Sequence, residues 1–211
     1  MKKSFLFFFA TVLTCGLFGQ SDSEAIRILD KFSASAKAAP SVSIDFDLIY
    51  SDILEGYSDT VSGTIVLDKD KYKLTLPDNI IWYDGTTSWS YLPDLYEVTV
   101  TEPGQTDDIF TGKPSMIFSA YKEGYKCRLV EETNNSYIID LYPEDPKSNL
   151  IRLRLKLDKK DHKLLVFEYK RKDGFTATLL ANRYDLSFIA GNGYFTFNKS
   201  DYQDLDIIDM R

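Results

Sequence analysis

From Val42 onward the chain alternates. Val42, Ile44, Phe46, Leu48 and Tyr50 are apolar, and Ser43, Asp45, Asp47 and Ile49 stand between them. A period of two marks a β-strand with one buried and one mostly polar face, which puts Asp45 and Asp47 outward. The pattern returns at Val61–Leu67, Tyr72–Leu76, Trp89–Tyr91, Tyr96–Val100, Tyr125–Glu131, Tyr137–Tyr142, Ile151–Leu157, Leu164–Lys170, Thr176–Phe188 and Tyr194–Phe197. Ile80–Tyr83 is a short apolar run, and alternation breaks both there and at Leu164–Val166. Asp84-Gly85, Pro93-Asp94 and Asp173-Gly174 supply tight turns. About eleven strands with short connections predict an α+β, mostly antiparallel β domain built on one large sheet. Nothing repeats, and no linker divides the chain.

Helical spacing is confined to two places. Ser23–Ala38 carries Ile26, Leu29, Phe32 and Ser33 on one side, with Asp22 or Ser23 as N-cap and Pro40 as the stop. Residues 101–113 read as a loop, and Pro114–Tyr121 as a short helix ended by Gly124. Two helices offer little cover for so many strands. The predicted inward set is rich in large rings: Phe46, Tyr72, Trp89, Tyr91, Tyr137, Phe167, Tyr169 and Phe195. Either the sheet curls and fills itself with them, or the helices lid a concavity that holds an apolar ligand. Aromatic alternation in strands is most often ordinary core, and composition alone does not separate a filled barrel from one that holds a ligand.

The first twenty residues read as a signal peptide. Lys2 and Lys3 precede an apolar run from Phe5 to Leu13, too short to span a bilayer, with cleavage expected near Gly19. Cys15 follows Val12-Leu13-Thr14 and resembles a lipobox cysteine, although Thr14 departs from the small residue usual there. Cleavage gives a soluble periplasmic protein; acylation of Cys15 gives a tethered one. The formal charge of −7 becomes −9 without Lys2 and Lys3, which argues against nucleic acid and anionic membrane surfaces. Cys127 is the one cysteine of the mature chain and reads as a small buried hydrophobe. His162, in Lys159-Lys160-Asp161-His162-Lys163, reads as part of a solvated turn. The sequence has no zinc-ligand spacing, nucleophile elbow or phosphate loop, and the acidic pairs Asp107/Asp108 and Glu131/Glu132 fall in a loop and at a strand end. No catalytic residue, metal site or cofactor is therefore expected.

Ordered segments of the chain resemble the LolA-type carriers of outer-membrane lipoproteins. They are Ile28-Leu29-Asp30-Lys31-Phe32, then Ser62-Gly63-Thr64-Ile65-Val66-Leu67, and Asp84-Gly85-Thr86-Thr87-Ser88-Trp89-Ser90-Tyr91-Leu92-Pro93 followed by Tyr96-Glu97-Val98-Thr99-Val100. Ile138-Ile139-Asp140-Leu141-Tyr142-Pro143, Phe195-Thr196-Phe197 and Asp204-Leu205-Asp206-Ile207-Ile208-Asp209 complete the order. The resemblance implies a single domain over 21–211: a curved, unclosed half-barrel with a helical lid. It also implies a non-enzymatic carrier that shields lipoprotein acyl chains, or another lipid, between an inner-membrane lipoprotein-releasing transporter and an outer-membrane acceptor. A monomer is expected. The expected cavity lining is Ile44, Phe46, Leu48, Ile65, Tyr72, Leu74, Trp89, Tyr91, Val98, Phe118, Ile139, Leu153, Phe167 and Phe195. Such carriers commonly have an arginine on an inner strand that bonds to the lid. Here Asp70-Lys71-Tyr72-Lys73-Leu74 puts Lys73 near that place, a possible lid contact without arginine's planar fork. Three other readings stay open: a tethered acceptor or sensor on the same fold, an enzyme acting on envelope lipids or glycans, and a filled β-domain for protein contacts.

Overall fold

The computed structural model describes residues 22–102 and 112–211. The expected signal peptide, Cys15 and most of the 101–113 loop, with Asp107 and Asp108, lie outside them. Helix α1 (Ser23–Ala38) starts where the Asp22 carboxylate accepts a hydrogen bond from the Glu24 N–H at 2.9 Å. It ends at Ala39, which Pro40 holds in extended backbone. Twelve strands follow among the described residues: β1 (Val42–Asp52), β2 (Tyr57–Asp68), β3 (Lys71–Thr75), β4 (Ile80–Tyr83), β5 (Ser88–Leu92), β6 (Glu97–Thr101), β7 (Tyr125–Glu132), β8 (Ser136–Pro143), β9 (Leu150–Asp158), β10 (Leu164–Arg171), β11 (Phe175–Asp185) and β12 (Asp206–Asp209).

They form one sheet in the order β12-β6-β5-β4-β3-β2-β1-β11-β10-β9-β8-β7. Pairing is antiparallel throughout except between β12 and β6. The sheet is a pair of meanders joined where β1 meets β11, and it stays open because β7 and β12 do not pair. Its hairpins turn where the sequence signalled: Gly85 and Gly174 take positive φ, and the Asp84 and Asp173 carboxylates accept N–H groups from Thr87 and Phe175.

Three elements differ from expectation. Pro114–Tyr121 is not an α-helix but two 3-10 turns, Pro114–Phe118 and Ala120–Lys122. Eight residues with few intrahelical partners favour tighter turns once side chains on several sides are buried. Tyr194–Phe197 forms turns rather than a strand, and the last strand is β12. A bulge between Asp45 and Phe46 leaves Asn182 as an extra residue on β11. That single insertion puts Ala177, Leu179, Ala181 and Tyr184 all opposite inward residues of β1, which strict alternation does not allow.

The sheet carries two cores. On its inner face, α1 and the 3-10 turns cover a cluster that includes Ile28, Leu29, Phe32, Phe46, Ile139, Leu153 and Phe167. Fully burying one such side chain contributes about 1.5–3 kcal/mol. On the outer face of β4–β6, Trp82, Tyr91, Val98, Val100 and Leu205 pack with Trp89, Phe197 and Tyr202. The C-terminal segment supplies this cover before joining the sheet as β12. The Trp82 ring meets Phe197 at 5.6 Å and the Tyr91 ring meets Tyr202 at 4.8 Å.

Candidate functional site

The inner face beneath the lid encloses an apolar cavity. Alternation along β1 aims Ile44, Phe46, Leu48 and Tyr50 into it, and Ile65 and Leu67 of β2 stand beside them. Leu74 and Leu76, Phe167 of β10 and Leu179 of β11 complete the sheet side, and Pro114 and Ile117 close it from the lid. The cavity measures about 30 Å³. That is room for about one water molecule, and a lining of this kind stays dry. A lipid site needs some hundreds of Å³. In this structure the apolar face is nearly filled, with Pro114 and Ile117 of the lid packed against it.

Close packing at the centre depends on Gly63, opposite Phe46. A Cβ at Gly63 would stand 2.8 Å from Phe46 Cζ, 2.7 Å from Leu76 Cδ2 and 2.8 Å from the Thr75 carbonyl oxygen.

The lid is tied to β7 at one end, and its two parts are tied to each other farther on. The Asp22 N–H donates to the Cys127 carbonyl at 2.9 Å, and the Leu129 N–H donates to the Asp22 carboxylate at 3.4 Å. Midway, the Tyr121 hydroxyl donates to Asp30 at 2.6 Å. Burial, then that bond, pushes the Tyr121 hydroxyl pKa up to about 12. Farther on, the Phe32 ring packs on Phe118 at 5.1 Å.

Of the expected lining, Ile44, Phe46, Leu48, Ile65, Leu74 and Phe167 meet at this cavity. Tyr72, Ile139 and Leu153 share the inner core without lining the cavity, as does Phe118, which faces a neighbouring cleft. Trp89, Tyr91 and Val98 lie on the other side of the sheet, which corrects their expected place. The reason is β4: four consecutive apolar residues hide which two point inward. Pairing of Trp82 with Trp89 sends both outward and leaves Ser88, Ser90, Thr99 and Thr101 on the inner side. Phe195 belongs to the C-terminal turns, its ring 5.2 Å from Tyr194. Lys73 is not a lid contact. It pairs with Trp82 across β3 and β4, and its Nζ lies 5.3 Å from the Trp82 ring and 5.1 Å from the Tyr194 ring, away from the helix. Burial there pushes its pKa down.

The expected lining left out six residues. Tyr50 and Leu67 sit in step with those it found. Leu179 was reachable only through the bulge, Leu76 lies just past β3, and Pro114 and Ile117 were legible only as a lid.

The remaining titratable groups sit elsewhere. Cys127 is buried on β7, with its thiol pKa pushed up to about 11 by burial. His162 is half-buried rather than solvated, its ring 6.1 Å from Tyr137, and burial, then Lys31 and Arg27, lower its pKa. On the outer face, Asp140 is 1 % exposed and accepts from Arg154 Nε and Nη2 at 2.6 and 2.8 Å. Burial opposes its ionisation, but the Arg154 bonds and the Tyr142 hydroxyl outweigh that and hold the carboxyl below its usual range. Among the described residues no three His, Cys, Asp or Glu gather to hold a metal ion, and no helix is long and apolar enough to cross a membrane. The inner face is apolar where the lid covers it. It presents few polar atoms to orient a ligand.

Residues 15–172 match a family model described as outer membrane lipoprotein carrier protein LolA. Among solved structures, an uncharacterized conserved protein from Thermus thermophilus is similar with a TM-score of 0.58 and 12% identity, over 88% of this chain and 99% of that one. At that identity the likeness speaks to the fold alone. A putative outer membrane lipoprotein-sorting protein domain from Vibrio parahaemolyticus has a TM-score of 0.46 and 12% identity, over 82% of this chain and 96% of that one. A LolA superfamily protein from Nitrosomonas europaea has a TM-score of 0.44 and 11% identity, over 82% and 97%. No curated protein matches the chain.

Proposed function

Because the chain belongs to the family of outer membrane lipoprotein carrier proteins of the LolA type, we propose that it carries lipoprotein acyl chains, or another lipid, through the periplasm. The observation that carries this reading is the apolar cavity on the inner face, covered by α1 and the 3-10 turns. Each CH₂ transferred from water to such a face contributes about 0.8 kcal/mol, so a long chain can supply enough energy to displace the lid. In this reading the signal peptide exports the chain and is cleaved, no bond is made or broken, and the monomer passes its cargo between an inner-membrane transporter and an outer-membrane acceptor.

The test is uptake of a fluorescent acyl probe by the purified mature protein. Phe46→Glu, in the cavity, should weaken uptake more than it weakens folding. Trp89→Glu, on the opposite face, should lower stability and leave the remaining folded protein competent. Equal loss of uptake in both would contradict the assignment of the inner face. Labelling with a palmitate analogue, compared with Cys15→Ser, separates a free shuttle from a tethered acceptor.

A further inference from the structure

The outer face of β7–β10, away from the C-terminal segment, gathers positive charge. Leu153, Leu155 and Leu157 of β9 belong to the inner core, so Arg152, Arg154 and Lys156 point outward. By the same alternation β7 presents Lys126 and Arg128, on either side of buried Cys127, and β10 presents Lys170 beyond Phe167 and Tyr169. Strand pairing brings them together. Arg128, Asp140, Arg154 and Glu168 form one row across the four strands. In the next row Lys126 pairs with Tyr142, and Arg152 with Lys170. At about 4.8 Å per strand and about 3.4 Å per residue, the patch spans about 14 Å each way.

Six cations share this face with three acids, Glu131, Asp140 and Glu168, in a mature chain whose net charge is −9. Two of those acids are already engaged: Arg154 holds Asp140 at 2.6 Å and Arg152 holds Glu168 at 2.6 Å. Among the described residues no ion pair engages Lys126, Arg128, Lys156 or Lys170. Lys126 and Arg128 are exposed on the edge strand. Lys170 stands directly opposite Arg152, and like charges so placed weaken a sheet. Folding gains nothing from that arrangement.

We propose that this face docks a protein partner that presents a cluster of carboxylates. The unpaired cations set the sign of that partner, and arginine with the exposed Tyr142 ring between them is the composition that interfaces favour. An anionic bilayer suits the face less well. It is an extended field and also repels the acidic remainder of the chain. A carboxylate cluster about 14 Å wide acts on the face alone, because screening limits its reach to about 8–10 Å. The face lies across the sheet from the apolar cavity, so a docked partner leaves the lid uncovered. Contacts of this kind speed encounter and fade in salt. The inference holds whether or not the inner face carries acyl chains.

The experiment measures binding of a fluorescent polyglutamate peptide to the intact mature protein by anisotropy. Wild type should bind in low salt and release the peptide in about 1 M salt, where the Debye length is about 3 Å. Lys126→Glu/Arg128→Glu should weaken binding by about tenfold or more, because two attractions become repulsions. Lys31→Glu/Lys199→Glu, an equal change of charge at exposed lysines elsewhere, should bind like wild type. Both variants should melt close to wild type, as exposed substitutions do. Lys126→Gln/Arg128→Gln, which adds no repulsion, should weaken binding less, and it decides the matter if the reversed variant does not fold. No binding by wild type, or equal loss in the two reversed variants, would overturn the docking face. Wild type should also stay in solution when phosphatidylglycerol vesicles are sedimented. Co-sedimentation that Lys126→Glu/Arg128→Glu abolishes would make this a lipid-binding face and overturn the protein partner.

Discussion

Gly63→Ala adds one methyl group at the middle of the inner face. The new Cβ would stand under 3 Å from Phe46 Cζ, from Leu76 Cδ2 and from the carbonyl oxygen of Thr75. A side chain can yield, but the Thr75 carbonyl belongs to β3, which is paired to β2 and β4. Overpacking of this kind costs about 1–3 kcal/mol. Alanine at a glycine whose φ is not positive restores about 0.4–1 kcal/mol by restricting the unfolded chain. The net loss is about 1–2 kcal/mol, which for a domain of this size lowers Tm by about 3–6 °C. Differential scanning calorimetry of the mature protein measures it. The easiest relief moves the Phe46 ring into the 30 Å³ cavity, so acyl-probe affinity should fall as well. Adding Phe46→Leu should recover only part of the stability, because the Leu76 and Thr75 contacts remain. A Tm equal to or above that of wild type would refute the close packing assigned to Gly63.

Tyr121→Phe removes the hydroxyl that fastens α1 at Asp30. It should cost about 1 kcal/mol and speed probe uptake in stopped-flow fluorescence. The raised Tyr121 pKa means that this fastening is complete below about pH 10 and is lost as pH climbs towards 12, so wild-type uptake should accelerate in that window. Asp140→Asn unbalances Arg154 on the outer face and should cost about 1–3 kcal/mol at neutral pH by urea unfolding. Because the folded Asp140 pKa is lowered, its contribution is complete above the ordinary aspartate value and fades as pH falls below about 4, where the two proteins should converge.

Much of this fold is written in β1. Five inward residues in strict alternation identify the strand, its inner face and four of the cavity's twelve lining residues. The α1 boundaries were equally legible, because Asp22 and Pro40 act locally. Parity across β4 was not. Ile80, Ile81, Trp82 and Tyr83 are all apolar because both faces are covered, the outer one by a segment more than a hundred residues later in the chain. Without that segment in view, Trp89, Tyr91 and Val98 pass for lining. Lys73 fails as a lid contact for the same reason, since its ring partners are Trp82 of the outer core and Tyr194 of the C-terminal turns. The bond that joins the lid's two parts, Tyr121 to Asp30, spans 91 positions and has no local signature. Composition likewise leaves open whether the inner face is filled or vacant; in this structure it is nearly filled, with Pro114 and Ile117 of the lid packed against it.

The central claim is that the inner face holds acyl chains. Native mass spectrometry of the protein isolated from its native cells tests it most directly. The account predicts a population heavier by the mass of an acylated species, which Phe46→Glu depletes and Trp89→Glu retains. A single unliganded mass for the wild type, unchanged after incubation with an acylated lipoprotein, would contradict it.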